Sequence, residues 1–157
     1  MSRGPEPKSR RAGVGDAAAI ARLLHDFNTE YSTPTPGTVT LERNARRLIE
    51  AGEMTVLLAG EGPDGLALFR LRPSVWSGAL DAYLEELYVV PDARRRGIGR
   101  ALLEATMEAA REAGATRIEL GTSTDDRAAI ALYESCGFSN REDGPDGPVM
   151  LFYQREL

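Results

Sequence analysis

Residues 89–103, Val-Val-Pro-Asp-Ala-Arg-Arg-Arg-Gly-Ile-Gly-Arg-Ala-Leu-Leu, constrain the fold of this chain more than any other stretch. The valines close the β-rich run Ala-Tyr-Leu-Glu-Glu-Leu-Tyr-Val-Val, and Pro91, which has no N–H, ends the ladder. Apolar residues then return at helical spacing, starting at Ile98 and continuing through Leu102 and Leu103. The order is strand, short turn, helix. A helix that follows a strand so closely packs back on the sheet, which places the chain in a mixed α/β class with a partly parallel sheet. The same stretch stacks Arg94, Arg95 and Arg96 beside Gly97 and Gly99 at the helix start. A helix's first turn carries unsatisfied N–H groups and the positive end of the macrodipole. Glycine lets backbone approach an anion, and arginine forks two hydrogen bonds onto phosphate oxygens. The pattern therefore suits a phosphate-bearing ligand, and a solvated basic helix start is the plainer alternative.

Two familiar phosphate loops do not fit. A nucleotide-triphosphate loop ends Gly-Lys-Ser/Thr, whereas Arg100 and Ala101 follow Gly99. A dinucleotide fingerprint needs a small residue three places beyond Gly99, where Leu102 stands. Composition narrows the rest. The chain has 157 residues, 42% of them apolar, and a net charge of −5, so no overall field draws nucleic acid. One cysteine, Cys136, excludes an internal disulfide framework, and one histidine, His25, argues against a His-based zinc site or triad. No apolar run is long enough to span a bilayer, and these features together predict a cytoplasmic protein.

The organisation read from pattern is a polar, disordered lead over residues 1–9 and a single domain over 10–157. Asp16 is placed to cap a helix whose Ile20, Leu23, Leu24 and Phe27 share a face. A second helix turns Leu41, Ala45, Leu48 and Ile49 inward. Met-Thr-Val-Leu-Leu-Ala-Gly and Leu-Ala-Leu-Phe-Arg-Leu-Arg-Pro form a hairpin across Gly62-Pro-Asp-Gly65, and Arg117–Thr122 is a further strand. Asp125–Gly137 reads as a capped helix and Pro148–Leu157 as a final strand.

Arg94-x-x-Gly97-x-Gly99 directly after an L-x-V strand resembles the acetyl-CoA signature of the GNAT superfamily of N-acetyltransferases. Downstream, Asp126-Arg-Ala-Ala-Ile-Ala-Leu-Tyr-Glu-Ser-Cys-Gly-Phe138 is similar to that family's N-x-x-A-x-x-x-Y-x-x-x-G-F. Together the likeness covers about residues 10–155. It implies an α/β (α+β) fold with a mixed, mostly antiparallel, centrally splayed sheet of six or seven strands and about four flanking helices. It also implies acetyl-CoA as cosubstrate, no metal, and a homodimer, for which the apolar final strand offers an edge.

Residue by residue, the resemblance assigns Leu87, Tyr88 and Val89 to backbone pairing with the pantetheine arm. It assigns Arg94, Arg95, Arg96, Gly97, Ile98, Gly99 and Arg100 to the pyrophosphate, chiefly through backbone N–H groups at the helix start. Asp126 stands where the family has asparagine; ionised aspartate still caps a helix but donates no hydrogen bond. Acetyl transfer to an amine needs a base for the ammonium proton, a donor for the oxyanion and an acid for the departing sulfur. The Val89 N–H is the candidate oxyanion donor and Tyr133 the acid, with a core tyrosine as its bland alternative. Leu84-Glu-Glu-Leu-Tyr-Val resembles the strand of the polyamine-acetylating branch, which places the base at Glu85 and an amine contact at Glu86. As strand neighbours these two are expected to face opposite ways, and either is alternatively a solvated carboxylate. Glu119 is a weaker candidate, and His25 is expected on a helix surface.

The acceptor is expected to be a small cationic amine. The loops that would meet it carry the acids Asp26, Glu30 and Asp81 and the aromatics Phe27, Tyr31 and Trp76, which suit ion pairing and cation–π contact. Glu86, Glu30, Tyr31, Trp76 and Asp81 are the candidate acceptor contacts, with no nucleic-acid or membrane partner. Two alternatives share the motifs: a protein or peptide N-acetyltransferase with an open groove, and a non-catalytic acetyl-CoA sensor indifferent to loss of Glu85 and Tyr133.

Overall fold

A computed structural model describes residues 7–157. Residues 1–6, the greater part of the expected lead, lie outside the described residues. The lead's last residue, Ser9, is paired with Ala59. The chain divides into two compact units, one running to Leu120 and the other from Gly121 to Leu157. Among the described residues no helix is long and apolar enough to cross a membrane.

The first unit holds one sheet of five strands in chain order: β1 (Ser9–Arg11), β2 (Thr55–Ala59), β3 (Gly65–Pro73), β4 (Leu80–Val89) and β5 (Ala115–Leu120). β1 to β4 pair antiparallel, and β4 pairs parallel with β5 across a helical crossover. The mixed sheet matches expectation, but among the described residues it has five strands instead of six or seven. Pro148–Leu157 forms no strand. Arg141 and Val149 make an isolated bridge, and Leu151, Phe152 and Tyr153 beyond it are 70%, 65% and 83% exposed. Its apolar residues fall on consecutive positions, the pattern of a strand covered on both faces, yet from Val149 to Tyr153 every one is exposed. The edge it was expected to lend a homodimer is thus not a strand. β1, by contrast, reads Ser-Arg-Arg and carries no hydrophobic pattern; charged side chains suit an edge.

Three helices belong to this unit: α1 (Ala17–Glu30), α2 (Thr38–Glu50) and α3 (Ile98–Glu112). α1 and α2 cover one face of the sheet. There Ala17, Ile20, Leu23 and Ala45 pack on Val56, Leu58, Leu66, Leu68 and Tyr88. Burying Ile20 and Leu23 contributes roughly 1.5–3 kcal/mol each. α3 covers the other face, with Leu102 and Leu103 fully buried. The α3 packing is close enough that Gly65 must be glycine: a Cβ there would stand 2.9 Å from the Tyr88 carbonyl and 3.1 Å from Leu102. Gly114, at φ +95°, ends α3 as expected of a C′ glycine. Asp16 occupies the N-cap of α1, but its carboxylate takes hydrogen bonds from the Gly13 N–H and from Arg10 instead of from the helix. Those bonds hold its pKa down at about 2, the Arg10 hydrogen bond being the largest cause.

The second unit is built around α4 (Arg127–Ser135). Asp126 is its N-cap, and its Oδ1 accepts from the Ala129 N–H at 3.0 Å. After α4, Gly137 at φ +88° turns the chain so that Phe138 N–H reaches the Tyr133 carbonyl.

Candidate active site

β4 is irregular at the point that matters. Its register to β3 runs Phe69 opposite Leu84 and then Leu68 opposite Glu86, so Glu85 is an extra residue in a β-bulge. Residues opposite each other in a sheet share a face. Leu84 therefore lies with Phe69 on the α3 face, while Glu86 lies with Leu68 on the face covered by α1 and α2. Tyr83 pairs with Arg70 on this second face, and Glu85 forms an ion pair with Arg70 there. The expectation that Glu85 and Glu86 face opposite ways is wrong for this physical reason: the bulge absorbs one step of the alternation. Both carboxylates look toward α1 and α2.

They meet a cavity of about 250 Å³ between the helix pair and the sheet. Leu24, Leu41, Leu48, Met54 and Leu68 form its apolar wall. Its polar lining consists of Asn28 from α1, Asn44 from α2, Arg70 from β3, and the two glutamates. Burial, with the charge of Glu85 as a second cause, pushes the Glu86 carboxyl up to about 7. Glu85 differs in being compensated by the Arg70 guanidinium. A second, more open hollow of about 430 Å³ lies beyond Arg70, lined by Arg72 and Tyr83 among others. Arg72 sits 5.7 Å from the centre of the Tyr83 ring.

The pairing of β4 with β5 ends at Leu84 opposite Leu120. From Glu85 to Val89 the strand has β3 on one side and, among the described residues, no strand on the other, so the ladder groups that Leu87 and Val89 turn away from β3 are unpaired by the sheet. A central splay was expected from the family resemblance; the open edge comes instead from the end of β5 at Leu120. Past Val90, the loop holds Arg95 at φ +66° and Gly97 at φ +81°, both left-handed. Such alternation gathers successive N–H groups into an anion-binding concavity. The first intrahelical bond of α3 runs from the Ala101 N–H to the Gly97 carbonyl, so the N–H groups of Ile98 and Gly99 have no intrahelical acceptor.

Arg94 has a definite place. Its guanidinium reaches both oxygens of Glu30 at 2.7 Å, and its Nε donates to the Val89 carbonyl at 2.9 Å. Tyr88 donates its hydroxyl to the same Glu30 at 3.1 Å, and its ring stacks on Phe27 at 4.9 Å. Burial, followed by the bond to Glu30, pushes the Tyr88 hydroxyl up to about 12. Glu30, the last residue of α1, thus ties that helix to the end of β4 and to the loop after it.

Of the expected acceptor contacts, Glu86 lines the apolar cavity, whereas Glu30, Tyr31, Trp76 and Asp81 do not. Tyr31 meets Phe27 edge-on at 5.3 Å and is half exposed. Asp81 lies across from Arg72 on β3 and Arg117 on β5. Trp76 is 95% exposed on the β3–β4 hairpin tip. Glu119 is shared by Arg72 and Arg117, and the His25 ring lies 3.2 Å from the Thr35 hydroxyl. In the second unit, the Tyr133 ring lies 5.9 Å from that of Phe138. Sequence reasoning missed Arg70, Asn28 and Asn44. Arg70 was findable, since pairing the two hairpin strands sets it near Glu85; the asparagines depend on helix placement that no local pattern gives.

The profile of the Acetyltransferase (GNAT) family matches residues 17–138. Among curated relatives, a thialysine N-epsilon-acetyltransferase of Caenorhabditis elegans is 30% identical over 79% of this chain and 78% of its own length. An aminoglycoside N(6′)-acetyltransferase type 1 of Stenotrophomonas maltophilia is 32% identical over 87% of this chain and 88% of its own. A crystal structure from Arthrobacter sp. FB24, assigned as an acetyltransferase, superposes with a TM-score of 0.89 at 42% identity, each chain covered in full.

Proposed function

Because this chain belongs to the GNAT family of N-acetyltransferases, we propose that it moves an acetyl group from acetyl-CoA to the primary amine of a small molecule, by direct attack in a ternary complex. One observation carries this reading: β4 joins an open backbone edge, Glu85 to Val89, to a partly buried carboxylate whose pKa lies near neutrality, Glu86. The names of the relatives support a small amine, one acting on thialysine and another on aminoglycosides.

The residues present fit the cosubstrate. Leu87 and the Val89 N–H offer ladder groups on the open side of β4 to an amide-bearing arm, while Tyr88 turns its backbone groups to β3 and the Val89 carbonyl is held by Arg94. The left-handed turns at Arg95 and Gly97, with the first N–H groups of α3, suit a pyrophosphate, and Arg95, Arg96 and Arg100 add positive charge around it. Arg94 is assigned a different part from the one its motif suggests: bound to Glu30 and the Val89 carbonyl, it fixes the loop and the strand end. When bound, acetyl-CoA supplies the acetyl group as a thioester.

The roles on the protein follow from the environments. Glu86, rather than Glu85, takes the ammonium proton, since a base works best with a pKa near the operating pH and Glu85 is already paired with Arg70. The freed nitrogen lone pair forms the C–N bond as the C–S bond breaks. The Val89 N–H donates to the oxyanion, and the second surplus proton on nitrogen passes to the departing sulfur, so each amide formed releases one thiol and one proton.

Glu86→Gln and Glu85→Gln, assayed by thiol release across about pH 6–9, test the assignment. Loss of a general base lowers kcat/KM about 10²- to 10⁴-fold, expected for Glu86→Gln. Glu85→Gln keeps most activity and moves the acid limb to lower pH, because the Glu85 charge no longer opposes ionisation of Glu86. The reverse pattern would return the base to Glu85. Acetyl-CoA binding with no turnover of any amine would replace the catalytic reading with a sensor.

A further inference from the structure

The cavity beside Glu86 also limits what the acceptor can be. Its wall is built of five large apolar side chains, from α1, α2, β3 and Met54 just before β2, and at about 250 Å³ it is small among ligand pockets. Its charges are few. Arg70 and Glu85 cancel as an ion pair, which leaves Glu86 as the only other ionisable group in the lining. Asn28 and Asn44 complete the polar set with neutral amides. The outer hollow beyond Arg70 is lined by Glu53 and Glu85 as well as Arg70 and Arg72, so its two acids are matched in charge by two arginines and it offers no net anionic station.

A ligand bearing two or more ammonium groups would find one partner here and press the others against leucine. Burying an unpaired cation is costly, and the group then loses its proton or stays in water. A monocation with an apolar body meets no such conflict: its nitrogen reaches Glu86 and its carbons displace water from Leu24, Leu41 and Leu48. Resting on the acetyltransferase reading above, we infer that the acceptor is a small amine with one cationic nitrogen on an apolar aliphatic or aromatic body, seated between α1, α2 and the sheet with its nitrogen at Glu86. Polyamines and aminoglycosides are then poor acceptors for this chain, despite the aminoglycoside-acetylating relative. Asn44 is the residue that withholds a second anionic site. It is exposed on α2 at the edge of the cavity, so a carboxylate there adds charge without disturbing the core.

The test has two arms. Binding of hexylamine, phenethylamine, cadaverine, spermidine and kanamycin is measured by calorimetry on the full chain, and thiol release from acetyl-CoA is followed with the same amines. The two monoamines are expected to bind at least tenfold more tightly than the others and to turn over with at least tenfold higher kcat/KM. Asn44→Asp is expected to raise kcat/KM for cadaverine several-fold relative to hexylamine. Stronger binding or faster turnover of spermidine or kanamycin by the wild type would overturn the inference and leave the acetyltransferase reading intact. Tight monoamine binding without thiol release would do the opposite: the cavity chemistry would stand and the catalytic reading would fall. If neither monoamine binds, the inference is wrong whatever else turns over.

Discussion

Glu85 and Glu86 are the same side chain in adjacent positions on the same face of the sheet, and their surroundings make them different acids. Arg70 neutralises Glu85. Glu86, pressed toward leucines, holds its proton up to about 7, against about 4.3 for an unperturbed glutamate. In the proposed mechanism the ionised form is the base, so kcat/KM should rise with pH through an apparent pKa near 7, and Glu86→Gln should lose that limb in a pH–rate profile. Stability runs the other way. A folded pKa above the unfolded one adds stability that is complete below about pH 4 and is lost as pH rises through 7. At pH 8 the Gln variant should therefore be more stable than wild type. At roughly 1.4 kcal/mol per pH unit, discounted for partial exposure, the gain is on the order of 1–2 kcal/mol in urea melts; at pH 4 it should vanish. Glu30 permits a separate check. Glu30→Gln removes the hydrogen bond and charge that help push Tyr88 up, so a tyrosine titrating near pH 12 in wild type should move toward 10 in ultraviolet titration.

Among the elements, β4 shows why some of the site was legible and some was not. Its existence, its stop at Pro91 and the helix behind it follow from local chemistry: β-rich residues, a missing N–H, glycines and helical spacing. The motif that named the coenzyme loop was equally local. The bulge at Glu85 was not, because it depends on how β4 meets β3, and nothing in Leu-Glu-Glu-Leu states that register. Misreading it assigned the two glutamates to opposite faces; the base, which the resemblance placed at Glu85, moves to Glu86 under the present proposal. Of the expected acceptor contacts Glu86 alone lines the cavity: acids and aromatics in loops look alike in sequence, whereas the wall of the cavity comes from helix faces that read simply as core. Gly65 was also silent in sequence. Gly65→Ala drives a methyl into the Tyr88 carbonyl and the start of α3. Overpacking of this kind costs about 1–3 kcal/mol, to be read in a thermal melt. Because α3 must then shift, acetyl-CoA affinity should fall in calorimetry more than amine affinity does.

Over the whole molecule, the division near Leu120 separates a unit with a sheet and three helices from one with a single short helix. Residues 121–125 are exposed and lie outside any helix or strand, as does most of the chain after Phe138. Exposed irregular segments are where proteases cut first. Brief digestion with a non-specific protease should leave a resistant fragment ending near Leu120, identified by mass spectrometry; protection that persists to residue 157 would contradict it. Following such unfolding has a practical twist. The chain has one tryptophan, and Trp76 stands almost fully in water on a hairpin tip. Its indole meets nearly the same solvent before and after denaturation, so its emission maximum should scarcely move while the sheet and helices melt. A fluorescence melt would report a protein that never unfolds, and circular dichroism is the optical signal that follows the loss of this fold.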